Sequence, residues 1–153
     1  MFSEQLAVIS GQLAVISEKL SAIKDWRECI VKSLVYEKAY KFAIRIVNAH
    51  KYLTQEQKEY ILSKQLIRSG TSIGANIAEA NGAISQADFS AKMSIAYKEC
   101  LETKYWLSLL KDTGYITEKA FNSIYDDADE IGKILFSILK KTRINNHPST
   151  DNR

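Results

Sequence analysis

Apolar residues recur along most of this chain at alternating steps of three and four, the spacing of one helix face. From Val35 the stripe runs through Ala39, Phe42, Ile46, Ala49 and Leu53, and the opposite side carries Lys38, Lys41, Arg45 and Asn48. This predicts an amphipathic helix over about 32–53 with a basic outer face. Thr54, with Gln57 three residues on, has the form of a capping box. A second helix is expected from there to about Ala80, burying Leu62, Leu66, Ile73 and Ile77. Its second half is rich in weak helix formers. Gly70, Gly74 and Ala78 line up at i, i+4, i+8, which admits a second backbone, so tertiary or subunit packing is expected to hold this stretch helical. Asn81-Gly82 ends the helix, and Ser85 with Asp88 opens a third that buries Phe89, Met93, Ala96, Cys100, Thr103, Leu107 and Leu110. Gly114 suits the left-handed position after that helix, with Tyr115 as its apolar closer. Thr117 caps a fourth, whose inward stripe is Phe121, Ile124, Ala128, Ile131, Leu135 and Ile138. Asp126, Asp127, Asp129 and Glu130 in its first half, and Lys140, Lys141 and Arg143 at its end, complement the helix dipole.

The expected fold class is all-α, an up-down-up-down four-helix bundle with an N-terminal helical extension. Its helices have about 22–27 residues, each roughly 33–40 Å long. The bundle spans 31–143, and 144–153 reads as a polar tail holding the single proline, Pro148. Residues 1–30 differ. Gln-Leu-Ala-Val-Ile-Ser occurs at 5–10 and again at 12–17, a period of seven. Leu6, Ile9, Leu13, Ile16, Leu20 and Ile23 form an a/d-type seam, interrupted by Gly11. It is either a short coiled-coil arm that aids oligomerisation or a translated tandem repeat without a function.

Composition narrows the class. The chain has 153 residues, 46% hydrophobic and 25% charged, with six glycines, which suits one helical domain and excludes wholesale disorder. Net charge is +3, but residues 31–84 carry eight Lys/Arg against four Asp/Glu. A basic face there can meet phosphate, or the lysines only solvate helix surfaces. Cys29 and Cys100 make no disulfide framework and no zinc pattern, so both are expected as free thiols in a reducing compartment. The N-terminus lacks the form of a signal peptide. No uninterrupted apolar run approaches the ~18 residues of a membrane span. The expectation is a cytoplasmic protein without membrane contact.

Candidate chemistry is sparse. Arg68, Ser72, Ala75 and Glu79 share one stripe with Asn76 beside it, and Glu99 and Glu102 share another. If these stripes face each other, Arg68 and Asn76 meet Glu99 or Glu102 inside the bundle, as a polar network that fixes helix register. A carboxylate metal site is the rival reading. Di-iron bundles need Glu-x-x-His pairs, and neither His50 nor His147 follows a glutamate at that spacing. No phosphate-binding glycine loop occurs, and no serine has a histidine partner in pattern. No catalytic residue, metal or cofactor is therefore expected. Tyr36, Tyr40 and Tyr52 interleave with Lys38, Lys41 and Arg45, an arrangement that stacks bases and holds phosphates or simply packs helices.

The run Ser63-Lys64-Gln65-Leu66-Ile67-Arg68-Ser69-Gly70-Thr71-Ser72-Ile73-Gly74-Ala75-Asn76-Ile77-Ala78-Glu79-Ala80 is distinctive. With Asp88-Phe89, Lys98-Glu99, Glu102-Thr103, Tyr105-Trp106-Leu107 and Thr113-Gly114-Tyr115, it resembles the four-helix-bundle proteins encoded in intervening sequences of bacterial 23S ribosomal RNA genes. The likeness covers about 31–143 and leaves 1–30 outside. Ala80 stands where the family usually has glycine. The resemblance implies a homopentamer around a central channel. It extends to the accessory variability protein of diversity-generating retroelements, which binds nucleic acid and a reverse transcriptase. The family has no established enzymatic activity.

The function expected is thus a non-enzymatic oligomeric module that binds structured RNA or DNA mainly through phosphates. Lys38, Lys41, Arg45, Lys51 and Lys64 are the candidate contacts. The alternatives are a protein–protein scaffold and a bundle metalloenzyme using Glu79, Glu99 and Glu102.

Overall fold

The computed structural model describes residues 1–146, with side chains for all of these except 26–28, 30, 31 and 143–146. Among the described residues all regular structure is helical: α1 (Phe2–Gln55), α2 (Leu62–Asn81), α3 (Gln86–Asp112) and α4 (Glu118–Asn146). Contacts divide the chain into two units, Met1–Leu34 and Val35–Arg153, four residues later than the boundary expected from sequence.

The first unit is helical from Phe2 onward, and Gly11 does not interrupt it. One glycine costs a helix about 1 kcal/mol relative to alanine, too little to break a run of good helix formers. Leu6, Ile9, Leu13, Ile16, Leu20 and Ile23 are all more than half exposed. Phe2–Asp25 is long and apolar enough, by length and composition alone, to cross a membrane. This revises the expectation that no helix qualifies. Runs of four apolar residues separated by Ser, Gln and Gly keep the average hydropathy high without any long unbroken stretch.

In the second unit the expected stripes face inward. Val35, Ala39, Phe42, Ile46 and Leu53 of α1 are buried against Leu66, Ile73 and Ile77 of α2 and Ala128, Ile131 and Leu135 of α4. All seven residues expected inside α3 are buried. Each large aliphatic or aromatic side chain so removed from water contributes about 1.5–3 kcal/mol. At the far end of α4, Leu139 is buried, while Ile138 is only partly so.

Cross-helix contacts give the directions. On α1 and α2, Ile46 meets Gly70 and Ala39 meets Gly74. On α2 and α3, Thr103 Oγ1 donates to Ser69 Oγ at 3.0 Å, and Lys92 pairs with Glu79. On α3 and α4, Lys111 lies 4.6 Å from the Phe121 ring, and the Tyr97 and Phe136 rings are 6.0 Å apart. Each of these helix pairs is antiparallel. The small-residue stripe therefore serves packing within the chain: Gly70 and Gly74 admit α1, whereas Ala78 is exposed.

Most ends form as their sequences direct. Ser85 Oγ accepts from Asp88 N at 3.1 Å, and Thr117 Oγ1 from Ala120 N at 3.2 Å. Gly114 sits at φ +80° and Tyr115 N donates to Leu110 O at 2.9 Å. The start of α2 differs. Thr54 stays in α1, its hydroxyl donating back to His50 O at 2.9 Å, and Gln57 Nε2 donates to Tyr52 OH at 2.8 Å. The cap comes from Glu59, whose carboxylate accepts from Ile61 N, Leu62 N and Ser63 N at 2.9, 2.8 and 2.6 Å. At the other terminus α4 continues to Asn146, past the expected start of the tail. The remainder of that tail, including His147 and Pro148, lies outside the described residues, as does the side chain of Arg143.

Candidate nucleic-acid interface

The basic stripe of α1 is one row in the helix but three environments in the fold. Lys38 Nζ pairs with Glu130 of α4 at 2.9 Å. Arg45 is more fully engaged: Nη1 donates to Asp127 and to Ser123 O at 3.0 Å, and Nη2 donates to Ser123 Oγ at 2.8 Å. Lys41, between them in sequence, is exposed. Two of the three cations are thus matched by acids of the same chain. Asp127 and Glu130 stand three residues apart on α4, so they share a face, and antiparallel packing brings that face to Arg45 and Lys38. These acids therefore serve α1 as well as the dipole of their own helix. The signal for that pairing is present in the sequence as two stripes of opposite sign on the first and last helices.

Asp129, on the other side of α4, pairs with Lys104 at 2.6 Å and Lys133 at 2.7 Å. Hydrogen bonds from these two ammonium groups hold its carboxyl down at about 2. Lys104 also sits 4.7 Å above the Tyr125 ring.

The other two candidate contacts lie at the end of the α1–α2 pair. Lys51, near the end of α1, and Lys64, in the first turn of α2, are both exposed. A contact between their neighbours, His50 Nδ1 and Ser63 O at 3.2 Å, puts them at the same end of the α1–α2 pair. Lys41, Lys51 and Lys64 form no ion pair among the described residues. Tyr40 and Tyr52 are exposed on α1 beside them, and the Tyr36 and Tyr40 rings stack with centroids 6.3 Å apart. The open surface therefore mixes cations with aromatic faces, which suits phosphates and stacked bases.

The expected interior polar network is not a single network and is not interior. Arg68 is exposed, with no ion pair within 4.0 Å among the described residues. Glu99 is half-buried near it. Burial and the charge of Glu102 push the Glu99 carboxyl above its ordinary value, and the charge of Arg68 opposes them. Glu102 is exposed and accepts from Trp106 Nε1 at 3.0 Å. Asn76 Nδ2 donates within its own helix, to Ser72 O at 2.9 Å and Ser72 Oγ at 3.1 Å. Glu79 is exposed and pairs with Lys92, whose hydrogen bond and charge interaction with the glutamate raise the lysine's proton affinity. The two stripes do approach each other, but at the rim, where a long charged side chain reaches water more cheaply than it is buried. Among the described residues no three metal-ligating side chains gather in one place.

Comparison with known proteins places the chain. No curated protein matches it. Among solved structures it is similar to a protein of unknown function from the S23 ribosomal protein family of Bacteroides thetaiotaomicron VPI-5482, with a TM-score of 0.71 and 55% sequence identity over 72% of this chain and 98% of that one. The family model described as 23S rRNA-intervening sequence protein matches residues 32–137, which excludes most of the first unit. By sequence and by fold, the chain belongs to the 23S rRNA-intervening sequence protein family.

Proposed function

We propose that this chain is a non-enzymatic module of the cytoplasm, a homopentamer of up-down-up-down four-helix bundles with an N-terminal helical extension, that binds structured RNA or DNA through its phosphates. The observation that carries the reading is the open set Lys41, Lys51 and Lys64 beside Tyr40 and Tyr52, while Lys38 and Arg45 of the same stripe are paired with acids of the chain itself. Three cations per subunit bind weakly alone. Repetition around a ring joins them by effective concentration. Support for self-association comes from the large apolar side chains left exposed on α3 and α4, Ile95, Leu101, Tyr105 and Phe136, rather than from the glycines. Lys38 and Arg45 join the interface only by parting from Glu130 and Asp127. The likeness to accessory variability proteins suggests a reverse transcriptase or another protein as a further partner.

Retention on mixed RNA and duplex DNA against salt tests the reading. Each phosphate neutralised on duplex DNA adds about −0.9 to the slope of log affinity against log salt. A Lys41→Gln/Lys51→Gln/Lys64→Gln variant is expected to flatten that slope with the assembly intact. Absence of retention by the parent at low salt overturns the proposal in favour of a protein scaffold, which the same exposed apolar side chains also suit.

A further inference from the structure

Among the described residues the seam of the first unit is an exposed apolar stripe, and its design names a partner. Leu6, Leu13 and Leu20 fall at a positions and Ile9, Ile16 and Ile23 at d positions of three consecutive heptads, and all six are more than half exposed on a helix. A strict period of seven is the mark of a seam that meets another helix of the same period. A membrane is a poorer occupant. The uncharged stretch between Glu4 and Glu18 is only about 20 Å long at 1.5 Å per residue, against a hydrocarbon core of about 30 Å. The family match begins at residue 32 and leaves this segment out, so the seam is an addition to what the family shares.

The flanking charges select the direction. The g positions are Gln5, Gln12 and Lys19, and the e positions Ser10, Ser17 and Lys24. In any parallel assembly g meets the e position five residues on in the next chain, so Lys19 would face Lys24 at every interface. In an antiparallel pair g meets g and e meets e. With Leu6 opposite Ile23, Lys19 then faces Gln5, Lys24 faces Ser10, Gln12 and Ser17 meet their own copies, and all six seam positions are filled. Leucine at a with isoleucine at d also disfavours the parallel dimer. Gly11 lies at an f position, on the outer side, where nothing crowds it.

We propose that residues 5–24 pair with the same segment of a second copy as an antiparallel two-stranded coiled coil. Such a pair requires a two-fold axis, so the arms join chains two by two and double whatever assembly the bundle makes. If the bundle forms five-membered rings, the arms tie two rings together.

Light scattering on the full chain tests this. An Ile9→Lys/Ile16→Lys variant is expected to have half the parent mass, while Ala7→Lys/Ala14→Lys, at outer b positions, keeps it. The ratio of two is read whatever the size of the ring, so failure of the pentamer reading and failure of this one are distinct results. Equal masses for parent and seam variant, or loss of mass in the outer variant, overturn the proposal. Direction is read in a Leu6→Cys/Ile23→Cys chain carrying Cys29→Ser, oxidised mildly and mapped by mass spectrometry. Links from 6 to 23 are expected, and links from 6 to 6 or 23 to 23 overturn the antiparallel pairing. This second variant decides the matter even if the lysine substitutions perturb folding. Flotation of the parent with phosphatidylcholine–phosphatidylglycerol vesicles, abolished by the seam variant without any change in mass, would assign the seam to a membrane instead.

Discussion

Gly70 of α2 stands so close to Ile46 of α1 that a Cβ built on the glycine would lie 2.8 Å from both Cγ atoms of the isoleucine. Those atoms are next to the backbone and cannot swing away. Gly70→Ala is expected to destabilise the protein by about 1–3 kcal/mol, as overpacking does, even though alanine favours the helix by about 1 kcal/mol. In an Ile46→Ala background both 2.8 Å contacts are gone and only the Cβ of residue 46, at 3.3 Å, remains, so the same substitution costs much less. A denaturant-unfolding cycle over the four proteins measures this. A stabilised Gly70→Ala single variant contradicts the close approach.

Glu59 is the buried acceptor for three N–H groups at the start of α2. Burial alone pushes its carboxyl up, but the three backbone donors together outweigh it and hold it below its ordinary value of 4.5. Because the folded value is the lower one, the cap contributes its full stability above about pH 4.5 and loses it as pH falls through the folded value. Glu59→Ala is expected to cost about 1–2 kcal/mol at pH 7. The gap between parent and variant melting temperatures narrows on acidification below that range. A gap that stays constant down to pH 2.5 removes the role of the charge.

Cys100 is buried, donates its thiol to Ala128 O at 3.0 Å and touches the space at Gly132. Burial pushes the thiol up to about 11, whereas Cys29 is exposed. At pH 8 a thiol reagent is expected to label one cysteine rapidly in the native protein and the second only after denaturation. Rapid labelling of both sets aside the packed environment of Cys100.

Asp127 and Glu130 restrain two of the candidate phosphate-binding cations. An Asp127→Asn/Glu130→Gln variant removes the carboxylates that offset the charges of Lys38 and Arg45, while Ser123 still holds the Arg45 guanidinium. Exposed ion pairs contribute only about 0–1 kcal/mol, so the fold survives. The salt slope of nucleic-acid retention is expected to steepen by up to about two phosphates' worth per subunit engaged. An unchanged slope excludes this side of α1 from the interface.

Arg68→Met is expected to cost under about 1 kcal/mol, since the guanidinium is exposed and Glu99 keeps access to water. Without the Arg68 charge, the Glu99 carboxyl titrates higher still. NMR titration of the Glu99 side chain reads this shift. A loss of several kcal/mol would mean that the pair is buried after all.

Much of the fold was legible in the chain because its rules are local. The inward stripes of α1 and α3, the Ser85 and Thr117 caps and the Gly114 ending depend on residues within one or two turns, and periodicity reports them directly. The start of α2 departs from the expected cap for a reason of the same scale. Thr54-x-x-Gln57 has the form of a cap, but Thr54 prefers to bond back into α1, and the orphan N–H groups of α2 find a carboxylate two to four residues upstream, at Glu59.

The sequence by itself determined an all-helical chain, its four core stripes, its small-residue stripe and its heptad seam, because each is a repeat along one helix. Only the tertiary structure decided what those faces meet. Gly70 and Gly74 admit α1 of the same chain, Arg45 and Lys38 face acids of α4, and Arg68 stays at the rim near Glu99. A helical wheel places a charge on a face. Whether that charge is open to a phosphate or already matched depends on the direction and register of a helix some 80 residues away in sequence.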